Sequence, residues 1–570
     1  MIKLLKYLKP YILNIVFIVV LFLFQALIDL SLPTLMAEIV NKGVVKNNIP
    51  FIMHIGGIML SLAFLGVICA FISGFLSSRT ALGFSEKLRH VIFEKVESFS
   101  LYEFDRIGAS SLIIRTTNDV LQVQRTLTIM MSMMLRAPLM CIGGIIMAFF
   151  RNAQLSLVLV SFIPVLAVLI YFVQKNAMPI FREMQHRLDT FNLVIREKLS
   201  GVRVIRAFNM TEHETRRFDR ANKDLMDTAL KLTGLMSSIL PVLMVIMNFA
   251  MIVIVWVGGI KISHGSMNIG DILAFIQYVN LILFSLMLIS FLFILIPRSE
   301  VSAARINEVL DMDISIKDPE NPVSPEKKGS LEFRDVTFKY QGAEESALCN
   351  VSFYAEPGKV TGIIGGTGSG KSTLAALALR FYDVCSGAVL VDGTDVRKFS
   401  QQDLRSRIGY CPQTSFLFTG TVEENVLFGG NGDIHKALTV SQSMEFVSSM
   451  PEKEMSIISP EGKNLSGGQK QRLSIARAIA RKPDIYIFDD AFSALDFKTD
   501  AVLRAALKKE TSGATVVIIA QRVATVLDAD RIVVLDDGIV AGIGTHKELL
   551  ESCKVYREIV NSQFAPEAAS

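Results

Sequence analysis

Residues 365–373 read Gly-Gly-Thr-Gly-Ser-Gly-Lys-Ser-Thr. Gly365, Gly370, Lys371 and Ser372 fall at the fixed places of the G-x-x-x-x-G-K-[ST] phosphate-binding loop. The apolar run Val360 to Ile364 stands before it and suits a buried strand; Thr373 to Leu379 stands after it and suits a helix. In that context Gly366, Thr367, Gly368 and Ser369 let successive backbone N–H groups turn around a phosphate, and the helix N-terminus adds favourable positive potential. Lys371 is expected to reach the β- and γ-phosphates of a nucleotide, and Ser372 to ligate its Mg²⁺. The elements around this loop must therefore say what the nucleotide drives.

The chain has 570 residues, too many for one ordinary domain, and half of them are hydrophobic. A membrane protein is expected, not a soluble enzyme. The formal net charge of +4 is small and does not suggest a nucleic-acid binder. The six cysteines are scattered without a CxxC pair, so neither a zinc site nor a redox pair is expected. Residues 10–28, 55–78, 152–174, 232–260 and 272–297 carry no charged side chain, and each is long enough to cross a bilayer. A sixth span lies at 126–150, interrupted only by Arg136, which is roughly 21 Å from the end of that run at 1.5 Å per residue and can snorkel to an interface. Asp29 and Glu38 close the first span and are expected in the outer interface, with structural and functional roles weighed equally. Met130, Met131, Met133 and Met134 are expected to be ordinary packing, with contact to an apolar ligand as the sharper alternative.

Lysine and arginine set the orientation. The N-terminus and two long connections, 79–125 and 175–231, are rich in them, whereas the other connections are short and poor in them. Both termini are expected in the cytoplasm of a multi-pass protein of the cytoplasmic membrane. Leu188, Phe191, Val194, Ile195, Leu199, Val202 and Ile205 recur at helical spacing, so the spans should continue as helices and turn near 103–112 and 209–216. Residues 311–330, with Asp311, Asp313, Asp318, Pro319, Pro322, Pro325, Lys327 and Lys328, read as a linker. The expected domains are thus 1–310 for the spans, 311–330 for the linker and 331–570 for the nucleotide-binding part.

From residue 331 the pattern changes to short strands and helices, and the motifs there resemble a half-transporter of the ATP-binding cassette (ABC) exporter family over essentially the whole chain. The implied fold is an α-helical transmembrane domain of six long helices followed by an α/β P-loop nucleotide-binding domain. Tyr340 matches the aromatic that stacks on adenine, and Gln413 in Cys-Pro-Gln413 matches the glutamine loop that touches Mg²⁺ and the γ-phosphate. Leu465-Ser-Gly-Gly-Gln469 is the family signature. The resemblance implies that Ser466, Gly467, Gly468 and Gln469 cap an ATP bound to the other subunit. Ile485 to Asp489 matches the strand whose terminal acid supports Mg²⁺, and Ser493-Ala-Leu-Asp496 matches the loop that runs between subunits.

Two positions depart from the family pattern. Where the family has a glutamate base, this chain has Asp490; where it has a histidine after the next strand, this chain has Gln521. Asp490 places its carboxylate roughly 1.3 Å nearer the backbone, and glutamine cannot carry imidazolium charge. Losing positioned acid–base help costs about 10²–10⁴-fold in rate. The pair of changes is similar to the degenerate-site half of bacterial heterodimeric multidrug exporters. That resemblance implies ATP and Mg²⁺ as cofactors, a second half-transporter as partner, and hydrophobic or amphipathic small molecules as cargo in the bilayer. Two alternatives stand beside it: a homodimeric lipid or drug exporter with Asp490 as base, and a nucleotide-sensing regulatory subunit.

Overall fold

The computed structural model describes residues 1–134, 136–326 and 328–564; Leu135, the linker residue Lys327 and residues 565–570 lie outside it. The chain divides into two compact units. Residues 1–97 and 109–312 form one; residues 98–108 join residues 313–570 in the other.

The first unit is helical because a chain in lipid must satisfy its backbone polar groups internally. A short 3₁₀ segment, Ile2–Tyr11, leads into α1 (Ile12–Glu38), and α2 (Ile49–Glu97) follows. The sharp bend after α2 carries α3 (Leu101–Ile107) of the second unit. A nearly continuous helical run, Ala109–Arg151, forms α4; α5 (Ala153–Ser200), α6 (Thr211–Ser263) and α7 (Ile269–Leu310) complete the set. Among the described residues, six helices are long and apolar enough to cross a membrane. All of them continue beyond the apolar stretches read from the sequence.

Polar side chains lace the ends of the spans where the connections are short. Asn152 caps α5 by accepting from the Leu155 amide at 3.1 Å, and Arg151 pairs with Asp271 at 3.2 Å. The Asn41 side chain accepts from the Gly270 amide at 2.8 Å, and the Tyr278 hydroxyl donates to the Leu30 carbonyl at 3.0 Å. A partnership not read from the sequence joins the first and third spans: the Arg136 guanidinium donates to the Asp29 carboxylate at 3.0 Å. Two isolated charges on apolar helices are costly, and pairing is the economical answer. Glu38 lies 3.7 Å from Lys42 on its own helical run.

Both turns fall close to where the sequence reading puts them. The first is a helix, α3, started by a capping box of Ser100 and Glu103 and stopped by Gly108 at φ +80°. The second is at Phe208–Met210, at the start of the expected 209–216, where Asn209 takes φ +54° and α6 begins at Thr211 with Glu212 and Glu214 in its first turn.

The second unit is built on two large sheets, beside which residues 420–421 and 457–458 form a short antiparallel pair. Strands β1 (Leu331–Phe338), β2 (Leu348–Ala355), β3 (Val360–Gly365), β4 (Ser386–Val391), β5 (Thr394–Asp395), β6 (Ile408–Cys411), β7 (Ile485–Asp489), β8 (Thr515–Ala520), β9 (Arg531–Asp536) and β10 (Ile539–Gly544) follow in chain order. An antiparallel sheet runs β2-β1-β4-β5, and a larger sheet runs β10-β9-β3-β8-β7-β6. Within the larger sheet β9, β3, β8, β7 and β6 are parallel, and only β10 is antiparallel. Every residue of β7 and β8 is buried, as befits parallel strands covered on both faces. The two apolar clusters separate by side-chain direction: Ile364, Phe488, Ile518 and Val534 point into one, and Ile363, Ile487, Ile519 and Val533 into the other.

The linker is a strap bound to this unit. Ser315 donates from its amide and hydroxyl to Glu103 at 3.0 and 2.7 Å, and the Lys317 carbonyl accepts from Arg380 at 3.2 Å. The Val323 amide donates to the Lys398 carbonyl at 2.9 Å. Arg407 and Asp392 anchor the far end. Their side chains are 1% and 0% exposed and pair at 2.8 Å; Arg407 also donates to Ser324 and the Pro325 carbonyl, while the other Asp392 oxygen accepts from the Lys328 and Ser330 amides. Removing the cation leaves a buried carboxylate unpaired, so Arg407→Ala should destabilise the unit by about 3–5 kcal/mol. Chemical denaturation of the full chain checks this, with Asp392→Asn in the Arg407→Ala background recovering part of the loss. A cost below about 1 kcal/mol would show that the strap is not held this way.

Candidate functional site

Open α/β sheets place ligands outside the carboxyl ends of their parallel strands. Here four such ends lie side by side. β3 ends at Gly365, β8 at Ala520, β7 at Asp489 and β6 at Cys411, so the phosphate-binding loop, Gln521, Asp490 and Gln413 all leave the same edge of the sheet. They line one cleft of about 350 Å³, together with Tyr340, Thr367, Gly368, Gly370, Ser372 and Thr373.

The loop needs glycine at two places for measurable reasons. A Cβ on Gly365 would strike the Leu535 carbonyl, and Gly370, at φ +90°, would meet the Ala347 carbonyl at 2.7 Å. Helix α8 (Lys371–Ala378) begins immediately afterwards. The Lys371 ammonium is curled into the loop and donates to the Gly365 carbonyl at 2.9 Å, the Gly366 carbonyl at 2.5 Å and the Ser369 hydroxyl at 3.3 Å. Burial lowers its proton affinity, and the nearby Asp490 and Asp489 carboxylates oppose that shift.

Ser372 donates to Asp489 at 3.1 Å, so the two side chains expected to hold Mg²⁺ already touch. Burial raises the Asp489 pKa; the Ser372 bond works against this and the neighbouring Asp490 adds to it. No group of three His, Cys, Asp or Glu gathers among the described residues. The donors are a hydroxyl, one carboxylate and the Gln413 amide, a hard-oxygen set that suits Mg²⁺ completing its shell with phosphate and water oxygens.

Asp490 sits at φ +48°, a conformation aspartate tolerates better than most residues. One of its carboxylate oxygens accepts from both Gln413, at 3.3 Å, and Gln521, at 3.4 Å. The two positions that depart from the family pattern therefore contact each other, and the glutamine loop joins them.

Tyr340 stands at the other end of the cleft. Its ring meets Phe338 edge-on at 4.8 Å and Tyr382 edge-on at 5.4 Å, and its hydroxyl lies 3.1 Å from that of Thr373. Tyr382 escaped the sequence reading because nothing local ties it to Tyr340.

The signature residues and Asp496 do not line this cleft. Ser466 caps helix α9 (Gly467–Ala480) in a reciprocal box with Gln469, at 3.3 and 2.8 Å, with Ser466 and Gly467 exposed. Asp496 caps helix α10 (Phe497–Glu510) through the Thr499 amide at 2.9 Å, which holds its carboxyl below the usual range. Sequence reading gave Asp496 a role between subunits and missed its local one.

Six apolar spans joined to a P-loop fold with an acid-ended strand in the same sheet define a nucleotide-driven membrane protein. The profile of the ABC transporter transmembrane region matches residues 15–287, and that of the ABC transporter nucleotide-binding part matches residues 348–493. The chain belongs to the ABC transporter family, as a half-transporter with one copy of each part. It is 40% identical to an uncharacterized ABC transporter ATP-binding protein of Mycobacterium tuberculosis, over 98% of this chain and 97% of the relative. It is 37% identical to the uncharacterized ABC transporter ATP-binding protein YfiB of Bacillus subtilis, over 100% and 99%. An ATP-dependent lipid A-core flippase of Vibrio vulnificus is 29% identical over 96% and 94%. The fold matches that of a bacterial Atm1-family ABC exporter solved with ATP bound, at a TM-score of 0.81 and 23% identity, covering 98% of this chain and 99% of that one.

If Tyr340 seats the adenine, Tyr340→Ala should weaken ATP binding by about 1–3 kcal/mol, or roughly 5- to 150-fold. Tyr340→Trp should bind like the parent. Equilibrium binding of a fluorescent ATP analogue to the full chain in detergent reads both, and equal affinities for all three proteins would remove Tyr340 from the site.

Proposed function

We propose that this chain is one half of a heterodimeric exporter of the cytoplasmic membrane, with both termini cytoplasmic, that moves amphipathic drug- or lipid-like compounds out of the cell. Its own phosphate loop, Asp489, Asp490 and Gln521 would build a slow, degenerate ATP site. Its intact Ser466-Gly-Gly-Gln469 signature and Asp496 would complete the partner's hydrolysing site.

The observation that carries this reading is the contact between Asp490, Gln413 and Gln521. A base for hydrolysis must reach the attacking water within about 2.6–3.2 Å, or act through one further water. Asp490 is short, and two amides already engage one of its oxygens. Gln521 offers the γ-phosphate a hydrogen bond without a positive charge. Lys371 would turn from the loop carbonyls to the phosphates, the loop amides would cradle them, and Tyr340 would stack on the base. Mg²⁺, held by Ser372, Asp489 and Gln413, would neutralise phosphate charge. Binding is thus well provided for and hydrolysis is not.

Exposed apolar surface supports a second chain. Phe208 is 75% exposed at the break between α5 and α6, beside Val204 and Met210. In the other unit Phe416, Phe418 and Phe428 form an exposed aromatic patch beside Arg477. Patches of this kind mark contacts with a partner. The likeness to a lipid A-core flippase supports lipid-like cargo. A homodimer using Asp490 as base is the second reading, favoured by the place of Asp490 in the cleft beside Lys371.

Restoring the family residues tests the proposal. The double variant Asp490→Glu/Gln521→His should raise ATP turnover of the full chain by about 10²-fold or more, within the 10²–10⁴-fold that positioned acid–base groups supply. An unchanged rate would mean that these positions do not limit hydrolysis.

A further inference from the structure

The segment after β8 leads from the sheet into the cleft. Gln521 is its first residue, and its side chain donates to Asp490 at 3.4 Å. Arg522 donates to the Ser493 carbonyl at 3.2 Å, and its guanidinium lies 6.0 Å from the centre of the Phe497 ring. Val523 opens a short helix, Val523–Val526, whose N-cap residue Arg522 makes no side-chain cap. The first amides of a helix have no partner within it. Val523 is fully buried, so water cannot serve its amide, and a buried amide must find a partner elsewhere.

That partner stands forty residues further on. Gln563 accepts from the Val523 amide at 2.8 Å through Oε1 and donates through Nε2 to the Gln521 carbonyl at 2.8 Å. One side-chain amide thus grips the backbone on both sides of Arg522, which takes a donor and an acceptor at the same tip. Helix α11 (Lys554–Phe564) carries Gln563 to this place. Tyr556 is fully buried, with its hydroxyl 2.8 Å from His546 Nδ1. Val555, Ile559 and Val560 pack against the apolar cluster that contains Ile518 and Val534. Ile559 and Val560 precede Gln563 by four and three residues, so the packed face of α11 is the face that presents it.

We propose that Gln563 is a positioning residue of the nucleotide cleft: by fixing the backbone at Gln521 and Val523, it keeps the Gln521 side chain beside Asp490 and facing the γ-phosphate of a bound nucleotide. The inference rests on the reading that Gln521 serves that phosphate. Gln521 is exposed and its bond to Asp490 is long, so its side chain goes where its backbone directs it. Helix α11, which carries none of the motifs read from the sequence, then belongs to the nucleotide site.

The affinities of the full chain in lipid nanodiscs for Mg·AMP-PNP, which carries a γ-phosphoryl group, and for Mg·ADP, which does not, test this. Gln563→Ala and Gln563→Met should each reduce the preference for AMP-PNP by about threefold or more, with ADP affinity unchanged. Gln563→Glu keeps the acceptor for Val523 but offers Gln521 no donor, and should do the same. Gln521→Ala should also reduce the preference, and adding Gln563→Ala to it should reduce it no further. Hydrogen exchange of residues 521–526 should quicken by about threefold or more in Gln563→Met, while β8 exchanges as in the parent and shows that the fold is intact. A parent-like preference in Gln563→Met, with the preference lost in Gln521→Ala, would mean that Gln563 only packs; it overturns the proposal and leaves the reading of Gln521 standing. A parent-like preference in Gln521→Ala overturns both.

Discussion

A lysine ammonium at the first position of a helix is in the wrong place by ordinary rules. The helix N-terminus already carries positive potential, and burial removes the water that would stabilise the charge. Lys371 is only 8% exposed, and two loop carbonyls and a hydroxyl accept from it. The same loop closes so tightly that Gly365 and Gly370 admit no Cβ. Asp489 and Asp490, at the end of the next-but-one strand, supply the only opposing charge that the Lys371 shift registers. The site is arranged for a multivalent anion with a cation beside it, and the order of the parallel strands is what brings the loop, the acids and the two glutamines to one edge.

The second unit also holds what would otherwise be loose. Its strap runs from Ser315 to Ser330 under hydrogen bonds from Glu103, Arg380, Lys398, Arg407 and Asp392. α3, though it interrupts the helical unit in sequence, is gripped by the same strap. Nucleotide chemistry at the strand ends and the helix that joins two spans are thus parts of one body.

The phosphate loop, the signature and the acid-ended strand were legible because each packs its chemistry into consecutive residues. The spans were legible for a similar reason, since lipid demands unbroken apolar runs. Partnerships across long separations were not. Nothing near Arg136 points to Asp29, and nothing near Arg407 points to Asp392 or Pro325; the fold alone brings them within hydrogen-bonding reach. Residues 311–330 read only as a linker from their prolines and charges, yet backbone groups on them are what the second unit binds. α3 could have been found: Ser100-Leu-Tyr-Glu103 is a capping-box pattern ahead of Gly108, and the helical run on either side masked it. Asp490 and Gln521 were singled out as departures, but only the geometry shows that they meet.

The most direct test of the central claim is ATP turnover by the purified chain alone, in lipid, with its oligomeric mass recorded on the same sample. A degenerate site predicts tight ATP binding with turnover about 10²-fold or more below that of the complex formed once a partner half-transporter is added. Steady turnover by a homodimer, undiminished without any partner, would contradict it and make Asp490 the base.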